Sequence, residues 1–352
     1  MSSSAIHLDS LPLDHEKVVL VTGQRSGLPI IVAVHSTVLG QALGGARMWS
    51  YPHWTDALAD ALRLSEGMTF KNAAAGLARG GGKSVVCVPL GTTLTEEQKH
   101  DAMLDLGDAV ESLGGSYMTA EDVGTSAELM AVVAERTEHV CGLPTDQGGV
   151  GEPADATSEG VHSSILATLE ALFGSKDVTG RSIVISGLGQ VGGRLATRLA
   201  AEGAKLTVTD VNLAKQSFAE SLGATWIDAD DALTTEADVF VPCGLGGVLT
   251  SDAIASLRVK AVCGAANNQL ANHNGAAELA ARGILWAPDF VVNGGGVIFL
   301  DMATQPGADA AAIAARVTEI GDVVATIFRD SKAKGITTLA AAEQLASARL
   351  NA

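Results

Sequence analysis

The chain has 352 residues, 47% of them hydrophobic but only 4% aromatic, with 40 glycines and a formal net charge of −17. That length is enough for two domains, each burying its own core. The acidic excess, with no cluster of Lys or Arg, argues against nucleic acid or an anionic membrane surface as a partner. No stretch reaches the roughly 18 apolar residues of a membrane span. Met1-Ser2-Ser3-Ser4 leads toward acidic residues without a leader pattern, so a cytoplasmic protein is expected.

In chain order, residues 17–22 and 29–36 read as strands around the turn Gln24-Arg25-Ser26-Gly27, an antiparallel hairpin. Helical spacing follows over residues 55–67, a strand over 84–89, and a helix over 95–113 that Thr95 caps and Gly114-Gly115 ends. Residues 116–118 form a further short strand. Between Cys141 and Ala156 the chain turns rich in Gly, Pro and Asp, which marks a domain crossing. Beyond it, strands at 182–186, 205–209, 225–227, 239–241, 261–263 and 284–286 alternate with helices, the pattern of a doubly wound parallel sheet. One long helix is expected over residues 308–328 and a last one over 339–350.

The richest signal is Gly187-Leu188-Gly189-Gln190-Val191-Gly192, set between the strand at 182–186 and a helix over 191–201. The first glycine permits the tight turn, the second lets backbone N–H groups approach a pyrophosphate, and the third lets helix pack on strand. The helix N-terminus then faces the phosphate charge. Asp210 ends the next strand, where its carboxylate accepts from the ribose hydroxyls and repels a 2′-phosphate. NAD is the expected cofactor. Cys87, Cys141, Cys243 and Cys263 are scattered in or beside apolar runs, and the eight histidines show no paired ligand spacing, so no metal is expected.

Four other glycine-framed segments carry polar groups: Gly67 to Asn72 with Lys71, Gly80 to Lys83, Thr119 to Gly124 with Glu121 and Asp122, and Gly264 to Asn268. Lys83 opens the apolar run Val85-Val86-Cys87-Val88. Its pKa should fall by burial and by a second lysine nearby.

Together with Leu39 to Arg47 and Ala287 to Gly296, these segments resemble the amino acid dehydrogenase superfamily of glutamate, leucine, phenylalanine and valine dehydrogenases, and most closely its leucine and valine members. The resemblance is ordered and spans residues 17 to 300. It implies an α/β fold of two domains with a cleft between them. Residues 1–145, joined by a C-terminal helix at 329–352, would form a mixed-sheet substrate, catalytic and oligomerisation domain; residues 146–328 would form a Rossmann-type NAD-binding domain.

The resemblance further implies NAD-dependent oxidative deamination of an apolar L-amino acid to the 2-oxo acid and ammonia, by a homo-oligomer. It assigns Lys71 to the substrate carboxylate, Lys83 to activation of the carbonyl or attacking water, and Asp122 to proton transfer at the amino group. Gly44, Asn267 and Asn268 would adjoin the substrate. Leu43, Ala120, Val297 and Leu300 would line its side-chain pocket. Gly187 to Gly192, Asp210, Cys243, Ala265, Asn267 and Asn293 would meet the dinucleotide. Relatives acting on glutamate carry a lysine where this chain has Leu43, and an apolar group cannot compensate the desolvation of a second carboxylate.

Leucine, isoleucine and valine are the expected substrates. Phenylalanine or another aromatic amino acid is the alternative, and a non-catalytic NAD-binding homologue a remote one. Gln41 in place of a proline, Gly294 in place of an alanine, and an altered segment at 301–308 depart from the family pattern.

Overall fold

The computed structural model describes residues 14–352 except Pro306; the segment Met1 to Ser4 lies outside the described residues. The chain divides into two compact units. One runs through Glu152 and takes in Arg349–Ala352, and the other is Pro153–Ala348. The division thus falls seven residues beyond the expected 145/146 boundary, and most of the C-terminal segment groups with the second unit. No helix among the described residues is long and apolar enough to cross a membrane.

The first unit is built on a five-stranded mixed sheet, order β1-β2-β4-β3-β5. β1 (Lys17–Thr22) and β2 (Pro29–Ser36) form the expected antiparallel hairpin. Its turn is anchored by Asp105, which accepts from the backbone N–H groups of Arg25 and Ser26 and from the Arg25 guanidinium. β4 (Gly80–Pro89) runs antiparallel to β2 and parallel to β3 (Ala42–Tyr51), and β5 (Tyr117–Glu121) is parallel to β3. β4 is buried along almost its whole length, as a central strand covered on both faces must be.

α1 (Trp54–Ala74) lies over the sheet, with Ala57, Ala61, Leu62, Ala73 and Ala74 on its buried face. It runs past the expected end at residue 67 and carries Lys71 in its last turn. Glycine makes this close packing possible: a Cβ on Gly81 would strike the backbone nitrogen of Thr69. α2 (Glu96–Glu111), capped by Thr95, and α3 (Ala127–Ala134) complete the unit. Their apolar side chains, including Met103, Leu106, Met130 and Val133, close one core with Ile30, Val32 and Tyr117.

The second unit opens with α4 (Ala154–Phe173) and contains a six-stranded, wholly parallel sheet. Its strands are β6 (Ser182–Ser186), β7 (Lys205–Thr209), β8 (Thr225–Trp226), β9 (Ala237–Pro242), β10 (Val259–Val262) and β11 (Leu285–Trp286). The order β11-β10-β9-β6-β7-β8 is that of a doubly wound sheet, with the strand order reversing between β6 and β9.

α5 (Gln190–Ala201) follows β6, α6 (Gln216–Ser221), α7 (Ser251–Ser256) and α8 (Gly275–Ala281) link the later strands, and α9 (Asp289–Val292) follows β11. α10 (Gly295–Ala303) packs on α4. The segment expected as one helix over 308–328 is two, α11 (Ala310–Thr318) and α12 (Ile320–Lys334), before α13 (Thr338–Leu350). The break falls beside Gly321, whose Cα lies so near α4 that a Cβ there would stand 2.7 Å from the Ser163 carbonyl oxygen.

Candidate active site

In the first unit the register of β3, β4 and β5 gathers the polar groups. Gly44 and Gly45 of β3 pair with Thr119 and Ala120 of β5, and Leu43 pairs with both Gly81 and Met118. Asp122 therefore emerges from β5 beside Lys83, which β4 presents from a buried position. The Lys83 Nζ donates to Asp122 Oδ2 at 2.6 Å, and the lysine side chain is only 6% exposed. Burial draws the Lys83 pKa below the ordinary lysine value, although the charge of Asp122 opposes it. Burial acts on Asp122 in the opposite sense, yet the charges of Lys83 and Arg47 outweigh it and hold the carboxyl below its usual range. The nearby cation that helps depress Lys83 is Arg47; a second lysine was expected in that role.

Two groups that the sequence did not single out hold this arrangement. Arg47 of β3 donates from Nε to Asp122 Oδ2 at 3.1 Å and from Nη1 to Asp60 Oδ2 at 2.9 Å. Asn72, fully buried on α1, donates from Nδ2 to the Gly80 carbonyl at 2.6 Å and the Leu43 carbonyl at 3.3 Å, tying the helix end to both strands. Lys71, the next residue, is half-buried. Leu43 and Ala120 are buried. Gly45 has no room for a side chain, since a Cβ there would lie 2.7 Å from the Asp122 Cβ.

In the second unit the turn after β6 has the form that its glycines suggest. Gly187 takes φ of 105°, a conformation that favours glycine, and its N–H donates to the Thr209 carbonyl at 2.8 Å. The Leu188 N–H donates to Asp210 Oδ2 at 2.6 Å and the Asn212 N–H to Asp210 Oδ1 at 2.8 Å. Each carboxylate oxygen keeps capacity for another donor. Gly189 caps α5 without a side-chain hydrogen bond and has open space where a Cβ would stand. A Cβ on Gly192 would strike the Gly187 carbonyl oxygen and come within 3.0 Å of the Cys243 Cβ. Cys243 follows β9, and burial pushes its thiol up to about 11.

A second group of polar side chains lies past β10. Asn267 and Asn268 are exposed, and Asn268 takes φ of 51°. Asn293 is buried; its Nδ2 donates to the Ala265 carbonyl at 3.1 Å and Asn267 Oδ1 at 2.9 Å, while its Oδ1 has no partner. Gln269 and Asp289 brace this loop, because the Gln269 N–H donates to Asp289 Oδ2 at 2.6 Å and its Nε2 to the Gly264 carbonyl at 2.8 Å. On α10, Val297 is buried and Leu300 half-buried.

Sequence spacing gave no sign of a metal site. Folding nevertheless places one ligand atom each from Asp14, His35 and Glu66 within 4.8 Å of one another.

Residues 15–139 match the family model for the Glu/Leu/Phe/Val dehydrogenase dimerisation domain, and residues 207–338 the model for Glutamate/Leucine/Phenylalanine/Valine dehydrogenase. The leucine dehydrogenase of Bacillus cereus is 40% identical, over 96% of this chain and 91% of its own. The valine dehydrogenase of Streptomyces albus is 42% identical over 96% and 92%. Among solved structures, the L-tryptophan dehydrogenase from Nostoc punctiforme superposes with a TM-score of 0.82 at 35% identity, covering 96% of each chain. The chain therefore belongs to the glutamate, leucine, phenylalanine and valine dehydrogenase family of NAD(P)-dependent amino acid dehydrogenases.

Proposed function

We propose that this protein catalyses the reversible, NAD-dependent oxidative deamination of a branched aliphatic L-amino acid. The observation that carries the reading is the buried Lys83–Asp122 pair at 2.6 Å in a chain of this family. Lys71 binds the substrate α-carboxylate as a charge-assisted pair. Asp122, kept ionised, takes a proton from the amino group. Loss of hydride from Cα then leaves an iminium, which water must attack.

Lys83, with its proton made labile by burial, activates that water as a base. Once protonated, it stabilises the developing oxyanion of the carbinolamine. Asp122 returns its proton to the nitrogen, and collapse of the carbinolamine releases ammonia and the 2-oxo acid as the hydroxyl proton passes to Asp122. NAD, when bound, supplies the hydride acceptor.

Several features of the second unit fit a dinucleotide. Gly187 to Gly192 leave an uncapped helix start open to a pyrophosphate, and Asp210 retains acceptor capacity for ribose hydroxyls. The unpartnered Asn293 Oδ1 offers a buried acceptor beside Asn267 and Ala265. A 2′-phosphate beside Asp210 would cost on the order of 1–3 kcal/mol in charge repulsion and lost ribose bonds, so NAD is preferred to NADP.

Leu43 and Ala120, both buried beside the Lys83–Asp122 pair in the first unit, support an aliphatic substrate. An aromatic amino acid is the second reading, favoured by the likeness to the tryptophan enzyme. The dimerisation-domain match over residues 15–139 supports a homo-oligomer.

NADH formation at alkaline pH with a panel of L-amino acids tests these points together. Leucine, valine and isoleucine should exceed glutamate and serine by at least about tenfold in kcat/KM, since an apolar lining offers no partner for a charged or hydroxylated side chain. NADP should be used at least about tenfold less well than NAD. Preference for phenylalanine or tryptophan would replace the aliphatic assignment, and no turnover with any amino acid would remove the reaction.

A further inference from the structure

Arg47 occupies an unusual electrostatic position. One oxygen, Asp122 Oδ2, accepts from two cations, Lys83 Nζ at 2.6 Å and Arg47 Nε at 3.1 Å. The other end of the guanidinium is held by Asp60, whose Oδ2 also accepts from the Tyr51 hydroxyl at 2.7 Å and whose Oδ1 accepts from Arg63 Nη2 at 2.7 Å. Arg47, Asp60 and Asp122 are each no more than 20% exposed in their side chains, so water screens this cluster weakly.

The consequence follows from charge balance. If Lys83 stood alone with Asp122, losing its proton would strand a carboxylate in a poorly solvated site, and the pair would resist ionisation change. A guanidinium does not deprotonate in proteins, so Arg47 keeps Asp122 compensated whether Lys83 is charged or neutral. The bond to Asp60 is what keeps the guanidinium in place, since Asp60 is itself fastened from two further sides.

We infer that Arg47 is a positioning residue for the deamination, a permanent counter-charge to Asp122 that frees Lys83 to take up and release its proton. This rests on the role proposed above for Lys83. The charged and titratable groups around the pair come from three elements: Arg47 and Tyr51 from β3, Asp60 with its partner Arg63 from α1, and Tyr117 and Glu121 from β5, the last next to Asp122. Burial, with the neighbouring Glu152 and Glu128, raises the Glu121 pKa above the ordinary glutamate value.

The sign of the effect is definite. As a base, Lys83 works once it has lost its proton, so kcat/KM for deamination rises with pH along an acid limb. Removing the positive charge of Arg47 leaves Asp122 to retain the lysine proton, and the limb must move to higher pH. A residue that merely stapled β3 to α1 would lower turnover or yield at every pH without moving the limb.

The test measures kcat/KM for L-leucine against pH in the full-length wild type, Arg47→Met and Arg47→Lys. Arg47→Met should shift the limb upward by about one unit or more, a loss of about tenfold on the limb that recovers toward the plateau at high pH. Arg47→Lys keeps the charge but cannot bond both carboxylates as a fork; its limb should stay in place while kcat falls. An unmoved limb in Arg47→Met, or equal shifts in both variants, would overturn the inference. Arg47→Gln replaces Arg47→Met if the latter does not fold.

Titration of the Lys83 side chain by NMR with 13Cε-labelled lysine, assigned with Lys83→Arg, reads the same ionisation without turnover. It should move upward in Arg47→Met, and no movement would refute the inference. A wild type inactive toward every amino acid would sink the deamination reading, and this titration would still decide the role of Arg47.

Discussion

Lys83 is buried and paired because of where its strand puts it. A lysine buried in a central strand loses hydration, which lowers its pKa, and Asp122 at 2.6 Å opposes that shift. Lys83→Ala should lower kcat about a hundredfold or more while leaving NADH binding intact, because it removes a proton-transfer group and leaves the nucleotide turn untouched. Stopped-flow turnover and NADH fluorescence titration read the two effects separately; near wild-type kcat would end the proposed role. Lys71→Ala should mainly raise the amino acid KM, as expected for loss of a carboxylate partner. Both lysines and Asp122 were legible in the sequence as polar residues framed by glycines. Arg47 and Asn72 stand in the same motifs, but their work depends on partners 75 and 29 residues away along the chain, which spacing cannot reveal.

At the scale of elements, β3 is the strand that sequence patterning missed. Gly44 and Gly45 interrupt its alternation and lower its strand propensity, yet they suit a position pressed between two neighbours. A Cβ on Gly44 would strike the Gly82 carbonyl oxygen. A Cβ on Gly45 would press on Asp122. Gly45→Ala should therefore displace Asp122, lowering kcat at least about tenfold and destabilising the fold by about 1–3 kcal/mol through overpacking. Steady-state kinetics and thermal unfolding check this, and unchanged kcat would mean that the Asp122 position is not critical. α4 was likewise missed: it follows a Gly- and Pro-rich stretch, and its buried Ser158, Ser163, Ser164 and Thr168 blur the apolar periodicity. Conversely, the Ala-rich run after residue 308 has helical spacing throughout. The break at Glu319 falls two residues before Gly321, which packs closely on α4.

At the scale of the molecule, β1 is an edge strand that exposes Leu20 and Val21, at 44% and 39%. Apolar groups on an open edge are a liability that association can cover. With the dimerisation-domain match, this leads us to expect a native mass of at least twice the 35.8 kDa chain. Light scattering after gel filtration measures it, and a monomer at micromolar concentration would refute the homo-oligomer.

The sequence by itself determined the parallel, doubly wound second unit and the glycine turn after β6. Their signals are local: consecutive buried strands, glycines within six residues, and an acid at the next strand's end. It also pointed to the family through contiguous motifs. Only the tertiary structure decided the chain of ion pairs through Asp60, Arg47, Asp122 and Lys83, the change of unit at Glu152, and the bracing of the Asn267 loop by Gln269 and Asp289. Each of these arises from strand register or from packing between distant segments. The energy of such contacts depends on three-dimensional proximity, which local spacing along the chain does not encode.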